Sequence, residues 1–271
     1  MTDFHKVIST HQAAASLRAL MQAWRIPRHY QGELRQKRQI TVNGQYQSVA
    51  APVARGSRVD LSFSAAGTDY VRSPTPIRVV FENDDFLIVD KPAGIKTHPN
   101  KASETDTMVN RVAGYLQADV YITHRLDMET QGLMIFAKDP LTQAIINREL
   151  ATRVMHRFYQ ADVAPGIPAR GTIDAPIGHA DDDVRKREVR ADGLPARTHY
   201  TRMAQQPGFD TVHVVLDTGR THQIRVHMAH IGHPIIGDPL YGGAPADHLH
   251  LTAYEIKLIM PFSATERTFT R

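Results

Sequence analysis

Cysteine is absent from all 271 residues. That excludes disulfide staples, thiolate metal sites and a cysteine nucleophile. It agrees with a reducing compartment. No apolar run approaches the length of a membrane-spanning helix. The opening residues MTDFHKVISTHQ lack the apolar core of a secretory signal. The expected location is therefore the cytoplasm, with no membrane partner. Internal repeats and low-complexity tracts are also missing. So is a Gly-rich loop able to cradle a phosphate cofactor.

What is present is enough chain for one large or two modest domains. Its charge is unevenly spread. Residues 1–72 hold ten Lys/Arg and four Asp/Glu, a net +6, whereas the remainder holds 22 and 24. The basic surplus thus lies in the first quarter, an electrostatic footprint for a polyanion. The plain alternative is a solvated basic surface.

Local patterns in that quarter predict a small folded module. Leu17, Leu20, Met21 and Trp24 share one helical face, and Pro27 stops or restarts the chain. Leu34 to Arg38 reads as a short basic helical stretch carrying Arg35, Lys37 and Arg38. Asn43-Gly44 signals a hairpin turn. Val59, Leu61 and Phe63 alternate with polar residues as a closing strand. The prolines before Ile77 mark a linker. The expected boundaries are a module over 1–72, a linker over 73–77 and a larger domain over 78–271.

In the larger domain, Arg78–Glu82 and Phe86–Val89 read as a hairpin around Asn83-Asp84-Asp85. Thr105 or Asp106 is placed to cap a helix with Met108, Val112 and Tyr115 inward. Asp139-Pro140 is a second helix start, with Leu141, Ile145 and Arg148 following at helical spacing. Strand-like runs recur at 158–163, 198–202 and 212–216. Helices and strands do not alternate regularly, so the class is α+β with a mixed or largely antiparallel sheet.

One segment concentrates chemistry. In HRLDMETQGLMIFAKD, Asp127 lies on a polar loop leading into the apolar strand Leu133–Ala137. Taken locally, it is a turn former, a surface ion-pair partner or a rigidly held carboxylate. His222, His227, His230 and His233 invite a metal reading. Their spacing does not match a helix with two zinc-binding His four apart around a Glu, and packing, RNA contact or exposure explains them. No metal is expected. The acidic run 181–183 beside Arg185, Lys186 and Arg187 reads as a solvated hairpin or loop.

Three segments in order carry a resemblance: VDKPAGIKTHPN (89–100), the stretch around His124-Arg125-Leu126-Asp127, and TGRTHQIRVHMAHIGHPIIGDPLYGG (218–243). Together they resemble the RluA-like pseudouridine synthases, which isomerise uridine in RNA. The first quarter resembles the small alpha-L RNA-binding domain often fused to them. The resemblance implies a central mixed sheet with an RNA-binding cleft, and no cofactor. It implies Asp127 as the essential carboxylate, attacking the anomeric carbon or removing a proton from the adjacent sugar carbon. Arg125 would fill the space left by the flipped base. Tyr159 would pack against the target base, although alone it reads as a core tyrosine. Arg225 would pair with Asp127 and orient it; its local alternatives are a surface Arg or a partner for Asp217. Arg220 competes for that place and is better directed to phosphate. His124 would lie among the substrate contacts. Arg35, Lys37 and Arg38 would grip RNA from the N-terminal module.

Gln131, where relatives carry a small polar residue, and Met260, where they often carry His, depart from the family pattern. They keep a second class in view, an inactive RNA-binding protein of the same fold. A His-assisted hydrolase is the third. Ribosomal or transfer RNA is the expected partner, and a monomer the expected state.

Overall fold

The computed structural model describes residues 2–271. The chain begins with β1 (Thr2–Ser9), α1 (Leu17–Ala23), α2 (Arg28–Gln36), β2 (Ile40–Val42) and β3 (Arg58–Ala65). The three strands form an antiparallel sheet in the order β1-β3-β2. Ser16 caps α1 by accepting from Ala19 N at 3.0 Å. Leu17, Leu20, Met21 and Trp24 are buried, as the spacing predicts.

Asn43 and Gly44 both have positive φ, 52° and 78°, so they turn the chain as expected. Across that turn the ladder stops after one antiparallel bridge, Val42 with Gln45; β2 pairs with β3. The chain peels away instead, and the Val49 and Ala51 carbonyls accept from Arg18 N and Leu17 N at 2.9 Å each. Two otherwise unsatisfied donors of the first turn of α1 are met in this way. Strand β1 was not legible, because Lys6 falls on the inward parity with Phe4 and Ile8. Its ammonium meets carboxylates of the other domain, Asp139 at 2.8 Å and Asp85.

The larger domain contains β4 (Arg78–Glu82), β5 (Phe86–Lys91), α3 (Met108–Leu116), β6 (Tyr121–Ile122), β7 (Gln131–Ala137), α4 (Pro140–Ala151), β8 (His156–Val163), β9 (Arg170–Asp174), β10 (Ile177–His179) and β11 (Arg187–Val189). It continues with β12 (Arg197–Gln206), β13 (Phe209–Leu216), α5 (Gln223–His230), β14 (Leu251–Ile259) and β15 (Glu266–Thr270). Ten strands form one mixed sheet along β4-β5-β7-β14-β8-β13-β12-β9, with β6 on β7 and β15 on β14. Its pairs are antiparallel except β7 with β14.

That parallel contact brings two backbones unusually close. Gly132 sits opposite Ala253 with φ +116°, and a Cβ there would lie 2.2 Å from the Ala253 carbonyl oxygen. Only glycine permits this approach. The loop holding Asp127 therefore enters the sheet at this close approach.

Two helix expectations shift. Thr107, rather than Thr105 or Asp106, caps α3, in a reciprocal box with Asn110. Tyr115 turns outward, and its hydroxyl donates to Glu82 at 2.9 Å. Asp139 caps α4 with Pro140 in its first turn, as read from sequence. The segment before β4 is laid along α3: Ser73 Oγ bonds Asp106 at 2.6 Å, and Asn110 Nδ2 donates to the Val71 carbonyl at 2.8 Å.

The two domains share a core. Leu141 and Ile145 of α4, with Phe262, join the apolar cluster around Leu17, Trp24 and Ile26. Arg148 donates to the Ile26 carbonyl at 2.9 Å, and Arg25 lies 3.7 Å from Glu149. Burial pushes the Glu149 carboxyl up to about 7, against the pull of Arg25. Removal of residues 1–72 would bare three apolar side chains worth about 1.5–3 kcal/mol each. The fragment 73–271 should melt well below the full chain or aggregate. An unchanged melting temperature would show that the shared core contributes nothing.

Candidate active site

Asp127 lies between β6 and β7 on a loop tied down on both sides. Thr97 Oγ1 donates to the Leu126 carbonyl at 2.8 Å and accepts from Leu126 N at 3.2 Å. Thr130 N donates to the Asp127 carbonyl at 3.2 Å. The Met128 carbonyl accepts from Gly94 N and from the Lys91 ammonium, both at 2.9 Å. Lys91 is fully buried and also donates to the Pro92 and Ile95 carbonyls, at 2.9 and 2.7 Å. Burial pushes its ammonium down to about 8, while Glu129 and Asp127 pull the other way. Three carbonyl acceptors match the three donors of the charged form.

The Asp127 side chain keeps 23% of its surface accessible. It faces a cavity of about 70 Å³ that it shares with Arg125, Thr130, Tyr159, Arg220, His222 and Arg225. It also borders a cleft of about 770 Å³. Arg125, Arg153, Arg157 and Arg220 line that cleft against two carboxylates, Asp127 and Asp217. A groove of this balance concentrates a polyanion. Five residues marked out in the sequence, Arg125, Asp127, Tyr159, Arg220 and Arg225, thus meet at one place.

Their individual settings vary. Arg125 is exposed at the mouth. Tyr159, on β8 opposite Ala253 and Val214, is 4% exposed and forms a wall. Arg220 is exposed, with its Nε donating to the Pro195 carbonyl at 3.0 Å. His124 is buried in the cleft floor, and its Nε2 accepts from Ile135 N at 3.2 Å. Burial, with Arg157 adding to it, holds that imidazole well below its ordinary range. In this geometry His124 braces the loop from behind, and its Nε2 has no capacity left for substrate.

Arg225 departs furthest. Its fork is taken by another carboxylate, so the expected pairing with Asp127 survives only as a long ion pair and Asp217 is not a partner. Nε and Nη2 bind the fully buried Asp238 carboxylate at 2.7 and 2.8 Å. Only Nη1 points toward Asp127, 4.0 Å from Oδ2. That is too long for a hydrogen bond but close enough to add a positive potential. The physical reason is the tight turn after α5. Gly237 (φ +77°) passes so near His248 that a Cβ would sit 1.8 Å from its carbonyl oxygen. The turn delivers Asp238 beneath Arg225, where a dry carboxylate requires a cation. Asp217 instead faces Arg153, Arg197 and His199, at 3.4, 3.9 and 3.4 Å.

The sequence motifs contain Lys91, Asp238 and Tyr241 but show no task for them. The available signal was a charged residue directly before proline beside an apolar run, as in IVDKP and IIGDP. Tyr241 packs under the Arg225 guanidinium, 5.1 Å from ring centroid to carbon. Its hydroxyl lies 2.7 Å from His222 Nδ1.

The other prominent histidines diverge. His227 is buried between Thr198 and the Ala175 carbonyl, His233 bonds the Ala164 carbonyl, and His230 is exposed. Among the described residues no three His, Asp or Glu side chains converge as metal ligands. Gln131 bonds Arg271 at 3.1 Å, and Met260 packs beside the Phe86–Phe269 cluster. Neither departure from the family pattern lines the Asp127 cavity.

Comparison with known proteins bears on what this cavity does. The RNA pseudouridylate synthase family pattern matches residues 85–230, and the RluD ribosomal pseudouridine synthase N-terminal domain matches residues 4–59. An uncharacterised RNA pseudouridine synthase of Bacillus subtilis, YhcT, is 39% identical over 76% of this chain and 71% of its own length. A relative of the same description from Chloroflexus aurantiacus is 37% identical over 85% of this chain and 77% of its own. Ribosomal large subunit pseudouridine synthase D of Escherichia coli K12 is 40% identical over 63% of this chain, a match spanning 54% of that relative. The human RNA pseudouridylate synthase domain containing 1 shares the fold, with a TM-score of 0.61 at 22% identity over 72% of this chain and 83% of its own. With a family match over more than half its length and relatives of this identity along most of it, the chain belongs to the RNA pseudouridylate synthase family, enzymes that isomerise uridine in RNA to pseudouridine.

Proposed function

We propose that the substrate is a uridine in structured large-subunit ribosomal RNA, and that Asp127 performs the reaction. One observation carries the reading: an accessible carboxylate, held by loop bonds on both sides, faces a small cavity beside a four-arginine cleft. A uridine reaches such a cavity only by leaving its stack. Arg125 at the mouth then occupies the vacated position, and Tyr159 offers its ring to the base, a contact that tolerates rotation. Asp127 attacks the anomeric carbon or removes the neighbouring sugar proton, breaking the bond to uracil N1. The freed ring turns and rejoins ribose through carbon 5. Arg220 and its cleft neighbours hold phosphates. The reaction exchanges nothing with a cofactor.

The ribosomal assignment draws on the names of the synthase D relatives. Among the described residues no helix is long and apolar enough to cross a membrane. We place the protein in the cytoplasm as a monomer acting on RNA. A pseudouridine map of ribosomal and transfer RNA, with and without the gene, tests this. A large-subunit site should vanish and return with the wild type. Loss confined to transfer RNA would move the substrate, and no lost site would refute the reading.

Arg35, Lys37 and Arg38 are exposed on α2 and the turn beyond it, Lys37 paired with Glu33 at 2.6 Å. They are positioned as phosphate contacts outside the cavity. Their joint replacement by Ala should weaken RNA binding. It should also flatten the log–log salt dependence by about two units, since each contact contributes a slope of about 0.7–0.9. An unchanged slope would remove these residues from the interface.

Lys91 predicts a pH dependence. Its charged form supplies three donors and its neutral form two. As pH rises through about 8, one bond under the Asp127 loop is lost. The single-turnover rate should therefore decline on the alkaline side when followed from about pH 6.5 to 9.5. A flat profile would show that the loop does not depend on that proton.

A further inference from the structure

His222 is held in a strained conformation. It precedes α5 with φ 58° and ψ 17°, a left-handed conformation that is uncommon outside glycine. Such strain persists only where the surroundings hold it, and it gathers at functional sites. His222 lines the cavity of Asp127 and Tyr159.

Its tautomer follows from its neighbours. The Tyr241 oxygen already accepts from Arg187 N at 2.9 Å. The hydroxyl proton needs an acceptor, and His222 Nδ1 stands 2.7 Å away. If Tyr241 donates to Nδ1, the imidazole carries its own proton on Nε2. No protein group among the described residues bonds that Nε2. Burial holds the ring below its ordinary range, Asp127 pulls upward, and Arg225 and Arg187 add to the depression. The ring is thus a neutral donor.

We propose that His222 Nε2–H donates a hydrogen bond to a carbonyl oxygen of the detached uracil, sharing the negative charge released when the glycosidic bond breaks. The proposal rests on the isomerase reading above. When the bond from sugar carbon to N1 breaks, its electron pair leaves with uracil. This holds whether Asp127 bonds the anomeric carbon or takes the adjacent proton. The charge spreads over the ring carbonyls. Carbon 5 later bonds the anomeric carbon, its hydrogen leaves as a proton, and N1 gains one, so no outside reagent is required. A neutral donor stabilises the anion without protonating it, which keeps carbon 5 nucleophilic.

The test uses the full chain and an unmodified transcript of bacterial large-subunit ribosomal RNA, made with uridine or with 5-fluorouridine. Fluorine withdraws charge, so the fluorinated base leaves more readily and needs the donor less. His222→Asn tolerates the left-handed backbone but lacks the reach. It should lose about a hundredfold in single-turnover rate on uridine and about tenfold or less on 5-fluorouridine, read as loss of the parent nucleoside. Tyr241→Phe frees the tautomer, leaves His222 and its left-handed backbone in place, gives up the bond from Arg187 N, and should show the same substrate contrast at smaller size. RNA affinity by filter binding should stay within about twofold for both, because the donor acts on charge formed during reaction. Equal losses on both transcripts, or losses in affinity alone, would overturn the proposal. So would full activity of either variant beside an active wild type. A wild type that forms no pseudouridine on any RNA would instead overturn the isomerase reading, and this proposal with it.

Discussion

Asp127→Asn should form no measurable pseudouridine while keeping the fold and the grip on RNA. The amide nearly reproduces the shape of the carboxylate. It can neither attack the anomeric carbon nor accept the sugar proton effectively, and loss of such a group costs at least about a thousandfold. Stability should hold, because the loop is fastened by Thr97, Lys91 and backbone groups rather than by the Asp127 side chain. Affinity should stay the same or rise slightly, since one negative charge leaves an arginine-lined cleft. Release of the carbon-5 hydrogen from labelled uridine measures the first effect, and a thermal melt with filter binding measures the rest. Comparable turnover by the purified variant and wild type would remove Asp127 from the chemistry.

Arg225→Ala should be costly for a reason the sequence did not disclose. Paired with Asp127, the residue would matter mainly to rate. Bound by two bonds to a carboxylate with no accessible surface, it matters first to stability. Its removal leaves Asp238 buried with the Leu240 and Tyr241 amides as its side-chain donors, at 2.9 and 3.2 Å. Breaking a buried pair from one side costs about 3–5 kcal/mol. For a chain of this size that lowers the melting temperature by on the order of 10 °C. Activity should fall as well, because the same turn carries Tyr241. Arg225→Lys should recover part of both, since a point charge lacks the fork. Asp238→Asn should resemble Arg225→Ala in stability. An Arg225→Ala variant that melts like wild type and loses only rate would return the residue to direct service of Asp127.

The contrast between those two residues shows what periodicity conveys. The fifth helix was legible from Ile224, Met228 and Ile231, which also placed Arg225 in its first turn. Its partner was not, because Asp238 comes from a turn whose path depends on the Gly237–His248 approach. Strand β1 was missed for a related reason. Lys6 breaks the apolar alternation, and its inward position makes sense only once Asp85 and Asp139 are beside it. The Asn43-Gly44 turn was read correctly, but not that its ladder would stop after one bridge, Val42 with Gln45, and leave β2 to pair with β3. Local φ preferences set a turn, but strand partners are chosen by the core that β3 completes.

Taken alone, the sequence determined the family, the α+β class, the carboxylate on its loop and the basic first quarter. Each of these is written in short-range patterns: turn residues, alternation, helical spacing and ordered motifs. Tertiary structure decided which charges meet. It took the Arg225 fork to Asp238, turned His124 inward as a brace and sealed the N-terminal module to α4 through Leu141, Ile145 and Phe262. It also set His222, in a left-handed conformation, in the cavity of Asp127. Ion pairing and burial depend on distances between segments far apart in the chain, and those distances exist only after the sheet has closed around its core.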